Sequence, residues 1–223
     1  MDSDRKTAII VGVLFIIATA MPLISIVFIG PIYDPDYLVT VSANESQVLT
    51  GTLLLVIMTA AIVSIPIMIF PILKKHDERL ALGYVGARIF EGLFSTINVI
   101  NILALLSLSV KFVSESAPVV SYFQTSGALT LASFEWVSIL LDFPFCISVL
   151  VLNYVLYKSK LVPQWLSALG LVGGGLWLAT TPFRMFGFFP SSLEILALVI
   201  MVQEMVFAAW LIAKGFNTSA NSL

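Results

Sequence analysis

"ALGYVGARIFEGLFSTINVINILALLSLSVK", residues 81–111, contains an apolar run bounded by Arg88 and Lys111 and interrupted by one further charge, Glu91. Between the two basic residues a helix rises about 34 Å, close to the thickness of a bilayer's hydrocarbon core. The stretch therefore predicts a membrane-spanning helix. Its two charges near the start pose the functional question. If Lys111 marks one boundary, Arg88 marks the other and can snorkel to the headgroups, with Glu91 three residues on as its same-face partner.

The rest of the chain follows the same pattern. Of its 223 residues, 59% are hydrophobic and 11% charged, against about 25% charged in a soluble domain. Six apolar segments stand out, at about 7–29, 48–73, 89–110, 134–157, 166–188 and 193–213. No long polar segment separates them, so residues 1–223 read as a single integral membrane domain, an all-α polytopic helix bundle. Arg5, Lys6, Lys74, Lys75, Arg79, Lys158, Lys160 and Lys214 fall on one side of these spans; Lys111 and Arg184 fall on the other. The basic side is cytoplasmic by the positive-inside rule, which places both termini there. The first 20 residues have a signal-like basic start and small residues at Ala18–Ala20, but the apolar run continues to Ile29 and reads as a retained span. A multi-pass protein of the cell (plasma) membrane is expected, with the lipid bilayer as its first partner. A net charge of −2 without a basic patch argues against nucleic acid.

Two loops carry structure of their own. Ser42 and Glu45 have capping-box spacing, so the second helix is expected to begin outside the hydrocarbon. Residues 118–133, if joined to the fourth span, would make a helix of about 60 Å, twice the core thickness. A separate external, interfacial helix is expected there, with a partial insertion as the alternative.

Polar residues form stripes along four of the spans. Arg88, Glu91, Ser95, Asn98 and Asn101 lie on one face of the third, at successive spacings of three, four, three and three. Glu135, Ser138, Asp142, Cys146 and Asn153 share a face of the fourth, where Pro144 predicts a kink or local break. Glu204, ten residues from both Glu194 and Lys214, falls near mid-membrane beside Gln203; Arg184 ends the fifth span. A carboxylate in hydrocarbon is costly unless paired, protonated or hydrated. Two layers are expected: Glu204, Asn98, Asn101 and Glu91 in the inner half and middle, and Asp142, Arg184, Glu194 and Glu135 further out. These stripes fit two readings, interhelical hydrogen bonding and a hydrated polar interior.

Much catalytic chemistry lacks its residues. No G-x-S-x-G, H-E-x-x-H, P-loop or dinucleotide fingerprint is present. One histidine, His76, in a loop and one cysteine, Cys146, in an apolar stretch make neither a zinc cluster nor a Cys-His nucleophile pair. No catalytic residue, metal site or cofactor is assigned.

The segments "YLVTVSANESQVLTGTLLLVIMTAAIVSIPIMIFPILKKHDERLALGYVGARIFEG", "LYKSKLVPQWLSALGLVG" and "QEMVFAAWLIAKGFN" resemble a prokaryotic family of multi-pass membrane proteins, the domain of unknown function numbered 4386. The resemblance implies a membrane location and characteristic residues at Arg88, Glu91, Gln203 and Glu204. It brings no assigned activity and no catalytic residues. Three functions stay open: a small-solute or ion carrier (or carrier subunit) with a carboxylate-lined interior, a non-catalytic sensor, assembly or partner-binding bundle, and a membrane-embedded enzyme on a lipid-like substrate.

Overall fold

The computed structural model of the chain describes residues 3–114 and 120–217. They form helices α1 (Ser3–Ile29), α2 (Tyr37–Ala43), α3 (Glu45–Leu73), α4 (Glu78–Ser114), α5 (Val120–Ser159), α6 (Gln164–Met185) and α7 (Ile195–Ala213), and no strand occurs among the described residues. Six of the helices, all but α2, are long and apolar enough to cross a membrane. The reason lies in the sequence: a backbone in hydrocarbon must satisfy its own hydrogen bonds, and long apolar runs do so as helices. Hydroxyls inside the spans follow the same rule. Thr52 donates to the Val48 carbonyl at 2.7 Å and Ser109 to the Leu105 carbonyl at 2.8 Å.

The spanning helices pack side by side in the order α1, α3, α4, α5, α6, α7, and α7 returns to pack on α1, closing a ring. Each spanning helix packs against the spanning helix before it in the chain. The end of the ring that carries Arg5, Lys75, Lys158 and Lys214 is called the basic end below. There the bundle is densely filled: Phe15, Ile65, Ile69, Tyr84, Leu156, Leu166, Phe207 and Leu211 belong to one buried cluster, with the Phe15 and Phe207 rings edge to face at 5.2 Å. Arg5 fastens the ring's closure by donating to the Leu211 carbonyl at 2.8 Å and the Ile212 carbonyl at 2.6 Å. These carbonyls lie in the last turn of α7, where the Leu211 carbonyl also accepts from the Gly215 N–H at 3.1 Å, and a cation there meets the negative end of the helix dipole.

The opposite end differs from the sequence expectation. Residues 118 and 119 lie outside the described residues, but 120–133 form no separate interfacial helix: they open α5, a continuous helix of 40 residues, about 60 Å long. The extra length is stabilised by tertiary contacts. The other long helix, α4 at 37 residues, runs beside it, with the Phe112 and Phe123 rings 5.8 Å apart. The Tyr37 hydroxyl of α2 donates to the Gln124 carbonyl at 3.3 Å. Pro144 does not break α5. The expected capping box is absent as well: Ser42 is inside α2, and Asn44 at the junction donates from its side chain back to the Thr40 carbonyl at 2.8 Å instead of capping α3.

Candidate functional site

Glu204 lies midway along α7 and Arg88 lies within α4. Arg88 does not snorkel. Its side chain is 3% exposed, because it points into the ring rather than along the helix. The Phe15 and Tyr84 rings lie 5.5 and 5.6 Å from its guanidinium carbon, and the Tyr84 hydroxyl accepts from Nε at 3.3 Å. Nη1 donates to both carboxylate oxygens of Glu91 at 3.1 Å. Ser148 of α5 reaches the same carboxylate at 3.5 Å.

The second guanidinium nitrogen, Nη2, faces Glu204 Oε1 at 3.6 Å. That separation is an ion pair but too long for a hydrogen bond, and Nη2 has no hydrogen-bond partner. Thr19 of α1 donates to the other Glu204 oxygen at 3.2 Å. One arginine thus stands between two carboxylates, bonded to one and merely near the other.

Above this layer, away from the basic-end core, is a cavity of about 320 Å³ bounded by α1, α3, α4, α5 and α7. Arg88, Glu91, Glu204, Asp142 and Thr19 supply its polar surface, and Pro22, Leu23, Met58, Ile62, Phe145 and Met201 most of its apolar wall. Ligand sites are commonly of this size and make-up, an apolar hollow with a few convergent polar groups. A smaller space of about 150 Å³ is also lined by Glu204, with Phe145, Trp177, Ala197, Ile200 and Met201. Glu204, Phe145 and Met201 line both hollows.

Asp142 reaches the cavity already neutralised. It accepts from Trp177 Nε1 at 3.0 Å and forms an ion pair with Arg184, whose guanidinium also stacks over the Trp177 and Phe189 rings at 5.4 and 6.0 Å. Asp142 and Arg184, grouped by depth in the sequence, are in direct contact.

The remaining stripe residues lie elsewhere. Asn98 donates to Ser138 at 2.9 Å and Asn101 accepts from Ser133 at 3.2 Å. They join α4 to α5 and do not share a layer with Glu204. Gln203 faces the other flank of α7, donating to Asn153 at 3.2 Å and to the Leu166 carbonyl at 3.4 Å. Glu194 is exposed in the turn before α7, and Glu135 is exposed on α5. The expected layers thus regroup by helix face. Thr19 and Ser148, which touch the two central carboxylates, were not singled out in the sequence, where each is one hydroxyl among many.

No group of three or more His, Cys, Asp or Glu that could hold a metal ion occurs among the described residues. Searches found no curated protein and no solved structure that matches the chain. The profile of one family, described as "Domain of unknown function (DUF4386)", matches residues 10–215. That span includes every spanning helix's central portion and all the residues of the cavity, and the chain is a six-span membrane protein belonging to the DUF4386 family.

Proposed function

We propose that this protein is a carrier, or the membrane subunit of one, that holds a small solute or ion in its central cavity at the cell membrane. The observation that carries the reading is Glu204, a mid-helix carboxylate that borders two hollows and keeps 13% of its side chain exposed. Buried charges that only join helices are expected to be packed on every side, because unfilled space beside a charge forfeits both contacts and solvation. The filled core at the basic end supports the same reading: it closes one side of the cavity, as a carrier in one of its resting states requires.

Cysteine accessibility tests this. In a Cys146→Ser background in liposomes, Met58→Cys reports the cavity wall and Ile65→Cys the packed core. The expected result is rapid labelling of position 58 by a small charged thiol reagent and none at position 65. Equal, slow labelling at both would mean that the cavity is dry, and the carrier reading would be abandoned in favour of a partner-binding bundle.

A further inference from the structure

Resting on the cavity reading, we infer that Glu204 is the seat for the positively charged head of a hydrophobic organic cation. Three carboxylates border the cavity, Glu91, Asp142 and Glu204, and two guanidiniums oppose them. Glu91 takes both hydrogen bonds from Arg88 Nη1, and Asp142 has Arg184 and Trp177. Glu204 is left with one hydroxyl and a guanidinium nitrogen at 3.6 Å. The cavity therefore carries one negative charge in excess.

Exposure decides which sign of ligand fits. The Arg88 side chain is 3% exposed and that of Glu204 13%, so an incoming group meets the carboxylate and not the guanidinium. Size and lining then narrow the class. A bare inorganic cation needs several oxygen ligands, whereas most of this wall is hydrocarbon, thioether and aromatic ring. An ammonium carrying apolar substituents matches both parts, its charge against Glu204 and its body against Met58, Phe145 and Met201. Leu23 lines the cavity and is 49% exposed, so the rim reaches the lipid-facing flank of α1 and admits a solute already dissolved in the bilayer.

Without the cation, a proton supplies the missing positive charge. Binding then exchanges the two: the carboxylic O–H bond of Glu204 breaks, its proton leaves, and the carboxylate pairs with the ammonium. The titratable and charged groups around this exchange are Tyr84, Arg88 and Glu91 on α4, Asp142 and Cys146 on α5 and Arg184 on α6. The α1 and α3 walls add only Thr19 and apolar side chains.

The test uses the full chain in nanodiscs and labelled phenethyltrimethylammonium, a permanent cation with no proton of its own to release. Its uncharged carbon isostere is the control. Expected are saturable binding of the cation alone, release of one proton per cation bound, and binding at least tenfold weaker in Glu204→Gln. Glu204→Asp should retain binding and proton release, and Glu194→Gln, in the exposed turn, should match the native chain. Equal binding of the isostere, or binding unchanged in Glu204→Gln, overturns the inference. No cation binding by a chain whose position 58 labels rapidly also overturns it, while leaving the small-solute cavity intact. If position 58 does not label, the cavity reading itself has failed.

Discussion

Arg88 of α4 and Glu204 of α7 face each other at 3.6 Å, and theirs is the one ion pair among the described residues that ties the last helix to the bundle. Because Arg88 also holds Glu91, a single guanidinium faces two carboxylates. Removing one partner of a buried ion pair typically costs about 3–5 kcal/mol, since the other charge is left buried and alone. Arg88→Met should therefore destabilise the chain by that order, seen as a lower thermal midpoint in detergent. Adding Glu91→Gln should recover part of the loss. A midpoint unchanged by Arg88→Met would show that the pair bears no structural load.

Gly170 of α6 lies directly against the side chain of Asn153, where an added methyl group has no room. Overpacking of this kind costs roughly 1–3 kcal/mol. Gly170→Ala should destabilise the protein by about that much and loosen the Asn153–Gln203 hydrogen bond beside it. Because the clash is with Asn153, the double variant with Asn153→Ala should lose less than the two single losses added together. Additive losses would place the strain elsewhere.

The continuity of α5 is directly measurable. Tyr122 and Trp136 are both exposed on it, and an unbroken helix puts their backbones about 21 Å apart. Spin labels at Tyr122→Cys and Trp136→Cys, in the Cys146→Ser background, should give one narrow distance distribution consistent with that spacing. A broad or shorter distribution would restore the separate interfacial helix.

His76, in the loop between α3 and α4, gives stability a pH dependence. Burial, and then the positive charge of Lys75, hold its imidazole below the ordinary 6.5. On acidification the unfolded chain therefore takes up this proton before the folded one. Stability from this group is fully present above about pH 6.5, falls as pH drops from there toward the folded value, and levels off below it. Melting curves of the native chain and His76→Gln from pH 8 to pH 5 should run parallel above about 6.5, and the native chain should lose stability relative to the variant below it. Parallel curves throughout would remove the histidine from the account.

The location and the number of spans were legible in the sequence because the bilayer acts on each segment separately. A run of some twenty apolar residues has one stable form in lipid whatever its neighbours do. The face periodicity likewise brought Arg88 and Glu91 together, since three residues along one helix are neighbours by local geometry alone. Glu204 stands out in the sequence as a carboxylate ten residues from the nearest charge on either side.

What stood against that carboxylate depended on how the ring closes. Residue spacing gives the height of a side chain on its own helix and leaves the rotation of one helix against another undetermined. Rotation placed Glu204 opposite Arg88 and not Asn98, turned Gln203 toward Asn153, and paired Asp142 with Arg184. The extra length of α5 has a related cause. A helix can outgrow the bilayer when another element covers it, and here α4 and Tyr37 of α2 do so. Hydropathy along one segment determined where this protein resides; contacts between segments distant in sequence decided which charges meet inside it.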